Sequence, residues 1–223
     1  METIVCDIPV TFDPEQAAAY TGVKPGSIYF QELVGARDLY LQHAKPKAVL
    51  KWVNIEHGDD GRVLVEGHRF DSRVVNEKLG SMDRAFIYVA TAGTELEDVP
   101  GLDTVLMKES LTMYSLITAM GYVMQFLTES FGYSEPGTLN PGSLPDWPIS
   151  NNFALFDILG PATDQIGVSI MDSGYMRPWK SSSGIVFTDA SGYQNCMLCK
   201  QLDCIGRRAE FDQVEYDRIF VSA

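Results

Sequence analysis

Three of the four cysteines of this 223-residue chain, Cys196, Cys199 and Cys204, fall within one short stretch, "NCMLCKQLDCIGRR", closed by Arg207 and Arg208. The C-x2-C-x4-C spacing lets one loop wrap around a single centre while its peptide N–H groups point at the sulfurs. Neighbouring arginines stabilise thiolates electrostatically, which favours metal ligation or redox chemistry over inert burial. Three readings stay open on these residues: an iron–sulfur cluster, a zinc site, or a redox pair or ordinary free thiols. A four-coordinate centre needs one more ligand, and Cys6 is the remaining thiol. A disulfide framework belongs to small secreted domains. The N-terminal run "METIVCDIPVTFDPEQ" has neither the basic start nor the apolar core of an export signal, so the expected compartment is the cytoplasm.

Two other stretches carry candidate binding residues. In "NPGSLPDWP", Asn140, Ser143 and the backbone around Gly142 suit a small ligand, and equally a Pro-Gly turn that packs Trp147. In "MDSGYMRPWKSSSG", Arg177 and Lys180 stand beside Trp179 and three serines, a set able to take an anionic tail, or to be a solvated strand edge. Asp172 and Tyr175 lie just before them and are expected to line the same cleft. Phosphate loops, GxGxxG, GxSxG and HExxH motifs are absent, and His43, His57 and His68 are scattered. The formal net charge of −13 excludes a general nucleic-acid binder, which needs clustered Lys and Arg.

The elements that must position these residues follow from the apolar pattern. Residues 13–43 predict helices broken at "GVKPGS", with Asp13 as N-cap, Pro14 in the first turn, and Ile28, Leu33, Leu39 and Leu41 on one face. "KAVLKWVNIEH" and "RVLVEGHRF" predict two strands paired across "GDDG"; "RVVNEKLG" predicts a short helix, "RAFIYVATAG" a central strand, and "GTELEDV" the start of further helix. The longest helix is expected over Thr104–Glu129. Its uncharged part, Ser110–Thr128, is long enough to span a bilayer, but Ser, Thr and Gln within it and Glu109 and Glu129 at its ends mark a buried core helix. A long loop, "FGYSEPGTLNPGSLPDWP", comes next, then a helix at "NNFALFDILG" and strands at "IGVSIMDSGYMRP" and "SSGIVFT". This order predicts an α+β fold, as a single domain over 1–223 with a cysteine-rich segment at 195–208.

Taken in order, "KPKAVLKW", "FIYVATAGTELE", "NPGSLPDWPI" leading into "LFDILG", "IGVSIMDSGYMRPWKSSSGIVF" and "CMLCKQLDCIGRR" cover nearly the whole chain. Together they resemble the reactivation (activation) domain of cobalamin-dependent methionine synthase, in the form found as small stand-alone proteins. The resemblance implies a curved antiparallel sheet with flanking helices. It also implies a helper that services a corrinoid methyltransferase, with the corrinoid on the partner protein. The Asp-x-His-x-x-Gly motif that would hold a corrinoid is missing, since Leu41, Ile55 and Glu66 stand where the aspartate is required. The family's S-adenosylmethionine site has an arginine where this chain has Thr138, a tyrosine at Ser143 and a glutamate at Met124, and these replacements argue against conventional adenosylmethionine binding. Returning cob(II) to cob(I) takes a low-potential electron, so the inferred task favours an iron–sulfur cluster over zinc and places the cysteines near the face that meets the partner. A binding module with a zinc-stapled tail, and adenosylmethionine-dependent reductive methylation, are the alternatives.

Overall fold

The computed structural model describes residues 3–102, 104–189, 191–204 and 207–221. Its centre is an antiparallel sheet built on β2 (Lys47–His57), with β1 (Thr3–Asp7) and β3 (Val63–Val65) on one side of it and β5 (Arg84–Thr91), β9 (Ser181–Thr188) and β6 (Pro136–Leu139) following on the other; β4 (His68–Arg69) pairs with β3. A separate two-stranded ribbon joins β7 (Ser169–Ile170) to β8 (Met176–Arg177). The helices are α1 (Pro14–Thr21), α2 (Ile28–Gly35), α3 (Arg37–His43), α4 (Arg73–Leu79), α5 (Val105–Phe131), α6 (Asn152–Leu159), α7 (Ala162–Gln165) and α8 (Gln213–Phe220). This is the α+β architecture expected, an antiparallel sheet flanked by helices.

Alternation along the strands sorts the core into two faces. Leu50, Phe86, Tyr88 and Val186 meet Ala119, Val123 and Leu127 of α5 on one face. Val49, Ile87, Val89, Ile185 and Phe187 meet α4, α6, α7 and Ile219 of α8 on the other. Because β5 is covered on both faces, it reads as a continuous apolar run. The helix α5 begins where the Thr104 hydroxyl accepts the Met107 N–H at 3.1 Å and ends at Gly132, whose φ of 69° makes the left-handed cap. It packs on the sheet, and its N-terminal half holds α1–α3 through Leu111 and Tyr114. Among the described residues, no helix is long and apolar enough to cross a membrane.

Several local expectations change. The segment expected as one helix from Ser27 breaks at Ala36 into α2 and α3, which leaves Ile28 exposed rather than on a shared face. "RVLVEGHRF" is two strands, because Glu66 and Gly67 both take positive φ, 47° and 78°, and form a two-residue hairpin turn. "GTELEDV" is a series of turns, and helix begins only at Val105. The long loop after α5 contains the edge strand β6, and α8 follows the cysteine-rich segment.

Candidate functional site

The strand β6 pairs with β9 only from Thr188 to Ile185 and stops at Leu139. Asn140 is followed by Pro141, which has no N–H for the ladder, and by Gly142, whose φ of 82° turns the chain away. The first half of β9, with Ser181, Ser182 and Ser183, is therefore left with an open edge, and a cavity of about 430 Å³ lies along it. The cysteine loop forms the opposite wall: Cys196, Cys199, Cys204, Arg207 and Arg208 line the same space as Asn140, Ser143 and Tyr175.

A chain of hydrogen bonds joins the two walls. Asn195, just before the first cysteine, donates from Nδ2 to Asn140 Oδ1 at 2.6 Å and accepts from the Tyr193 hydroxyl at 3.1 Å. Asn140 Nδ2 donates to the Tyr88 hydroxyl and to the Ser183 carbonyl, both at 2.7 Å, replacing the ladder bond that β6 no longer supplies. Tyr88 lies 3.3 Å from the Ser182 hydroxyl. Burial pushes the Tyr88 phenol above its ordinary value, opposed by hydrogen bonds to Ser182 and Asn140 and by the charge of Arg208. The amide of Asn140 is thus committed to positioning. Gly184 makes the approach possible, since a Cβ there would meet the Leu139 carbonyl, Asn140 Nδ2 at 2.6 Å and Tyr88 Cε1 at 3.1 Å.

Arg207 holds the cysteine loop. Its Nη1 donates to the carbonyls of Cys196 at 2.7 Å and Ala209 at 3.0 Å, and its Nη2 to those of Cys199 at 2.7 Å and Gln201 at 2.9 Å. Its Nε is buried without a partner among the described residues. The Arg208 N–H points at Cys196 Sγ from 3.4 Å. Free thiols, guanidinium charge and an amide directed at sulfur are the donor chemistry of a thiolate-held centre. Among the described residues, however, no three His, Cys, Asp or Glu side chains stand together closely enough to hold a metal ion, so the three cysteines would have to converge to ligate one.

Other expected site residues lie elsewhere. Cys6 is buried on β1, in register with Ala48, which pairs with Ala90, which pairs with Ser182. Three strand intervals, about 14 Å, therefore separate it from the β9 edge, and the structure does not bring it to the other thiols. Burial, then the charge of Asp7, pushes the Cys6 thiol up, the opposite of activation. Gly142 donates its N–H to the Trp147 carbonyl at 2.8 Å, closing the turn that seats Trp147 edge-on to Phe70. Asp172 is exposed in the turn between β7 and β8. Arg177 stacks 3.7 Å over the ring of Trp179. Arg177 and Lys180 face a second cavity of about 740 Å³, where Lys180 pairs with Glu109 at 2.7 Å and Lys108 reaches the Glu97 carbonyl at 2.7 Å. Met120, Ile149 and Asn195 line the first cavity without having been marked in the sequence; of these, only the polar Asn195 beside a cysteine carries a local signal.

Among the described residues the fold is thus an antiparallel sheet of seven strands with one long helix across a face and a cavity where an edge strand stops short, an α+β architecture. The particular likeness is to a crystal structure of the MetH reactivation domain bound to AdoHcy: it covers 98% of this chain and 89% of that one, with a TM-score of 0.60 and 13% sequence identity. At that identity the likeness is one of fold. No family model and no curated protein matches the chain.

Proposed function

We propose that this protein is an accessory of a corrinoid-dependent methyltransferase, docking on the corrinoid-bearing partner and serving the return of its cobalt from cob(II) to cob(I). The observation that carries the reading is the gathering of Cys196, Cys199 and Cys204 along one cavity wall, on a fold shared with the MetH reactivation domain. The balance is one electron to cobalt, with a reductant outside this chain resupplying the protein. An iron–sulfur cluster held by Cys196, Cys199, Cys204 and a fourth ligand other than Cys6 would supply the low potential, whereas zinc is not redox active. The chain's own residues do the rest: Arg207 fixes the loop through four carbonyls, and the Arg208 amide solvates the Cys196 sulfur.

A second reading, that the cavity takes an adenosyl ligand, is supported by the AdoHcy on the structural neighbour and by the two arginines that the cysteine loop brings to the cavity.

The test is anaerobic purification of wild type and Cys199→Ser, with absorption spectra and iron, sulfide and zinc analysis. The reduced protein is then mixed with cob(II)alamin-loaded methionine synthase lacking its own reactivation domain. Charge-transfer absorption with iron and sulfide in wild type, lost in Cys199→Ser, together with appearance of cob(I)alamin, is the expected result. A colourless protein, or one that leaves cob(II)alamin unreduced, overturns the electron-transfer reading.

A further inference from the structure

We propose that the cavity along the open edge of β9 is a site for a small organic anion, with the guanidinium of Arg208 as its charge partner. This rests on reading that cavity as a ligand site.

Charge is the first argument. The chain has 30 acidic and 17 basic residues, yet among the described residues those lining this cavity include Arg207 and Arg208 and no aspartate or glutamate. An acid-free, doubly cationic recess in so acidic a protein concentrates anions locally. The second cavity shows the ordinary arrangement, in which Glu109 answers Lys180.

The use of each guanidinium is the second argument. Both terminal nitrogens of Arg207 are taken by carbonyls of its own loop. Arg208 is different. The other arginines all engage a carboxylate, a carbonyl or a ring. Among the described residues, the Arg208 guanidinium has no ion pair, hydrogen bond or ring contact, although it lies near enough to Tyr88 to act on its phenol. A planar fork without a partner at the mouth of such a recess suits the paired oxygens of a carboxylate or phosphate.

The remaining lining fixes the rest of the ligand. Ser143 offers a hydroxyl without a partner among the described residues, while Met120, Ile149 and Trp179 supply apolar wall. The ligand class is therefore an oxyanion attached to an apolar or aromatic body.

The experiment is calorimetric titration of the full chain with three probes: AdoHcy; methylthioadenosine, which keeps the adenosine and thioether but lacks the carboxylate; and inorganic phosphate. Wild type should bind AdoHcy, phosphate or both, and Arg208→Ala should weaken that binding at least about tenfold. Arg208→Lys should recover part of it by keeping the charge without the fork, and Lys180→Met should leave it unchanged. A response to AdoHcy places the anion among carboxylates, and a response to phosphate alone places it among phosphate esters. Equal binding of AdoHcy and methylthioadenosine without a phosphate response, wild-type affinity in Arg208→Ala, or no binding of any probe overturns the proposal. Arg208 is exposed, so its variants should keep the wild-type circular dichroism spectrum. The cobalamin assay reads Cys199 and needs no anion, so failure there leaves this site standing, and failure here leaves electron transfer standing.

Discussion

The two cavities on either side of Trp179 both carry cations but differ in whether acids answer them. Among the described residues, one is walled by the cysteine loop and holds two arginines without an acid, and the other holds Lys108, Arg177 and Lys180 together with Glu97 and Glu109. In the second, a 2.7 Å ion pair and a ring stack already occupy Lys180 and Arg177. The difference teaches that a basic residue marks a binding site only where the fold withholds its partner. Lys180 and Arg177 looked as available in the sequence as Arg208, and only the packing separates them.

The sharpest way to break the contrast is to crowd the β6–β9 contact beside the first cavity. Gly184→Ala places a methyl against the Leu139 carbonyl and Asn140 Nδ2. It should lower the unfolding free energy by about 3 kcal/mol, read by urea denaturation, because it forces Leu139 and Asn140 away from β9. A near-neutral result would mean that β6 and β9 separate easily and that the cavity is not a fixed feature.

A smaller effect should come from Asn140→Ala. The substitution leaves the Asn195 amide, the Tyr88 hydroxyl and the Ser183 carbonyl short of one partner each. A loss of about 2 kcal/mol is expected, with faster alkylation of Cys196 and unchanged alkylation of Cys6, measured by mass spectrometry. Equal acceleration at both thiols would show global loosening in place of a link between Asn140 and the cysteine loop.

The smallest effect belongs to the second cavity. Lys180→Met removes an ion pair whose Glu109 side is 59% exposed, so the stability change should stay under about 1 kcal/mol by thermal denaturation at moderate salt. A larger loss would mean that the pair organises the approach of α5 to β9, and the contrast between the cavities would be weaker than drawn here.

How much of this was legible in the sequence depends on what each element needed. The central strands β2, β5 and β9 announce themselves because their apolar runs are buried by the sheet, and α5 is expected over Thr104–Glu129 from its long uncharged stretch, close to its observed span. The edge strands β1 and β6 are short, and β6 contains Pro136 and Gly137, residues that read as loop; only pairing with β2 and β9 makes them strands. The site was legible as separate pieces. Asn140, Ser143, Tyr175 and the three clustered cysteines were marked as candidates, but their meeting depends on where β6 stops, a matter of tertiary register. Cys6 shows the converse: as the remaining thiol it was the natural fourth ligand, yet strand order sets it three intervals away.

The cysteine-bearing segment is fastened at both ends. Asn195 and Leu198 are buried at its start, the Asp212 N–H reaches back to the Met197 carbonyl at 2.8 Å, and Ile219 of α8 lies in the core with its carbonyl accepting from Arg73 at 3.0 Å. Such a ring of chain keeps its three sulfurs at high mutual effective concentration whether or not anything joins them. Part of the entropy of confining this segment is therefore lost when the domain folds, and opening of the chain between Leu198 and Asp212 can proceed as a local event while the sheet stays intact.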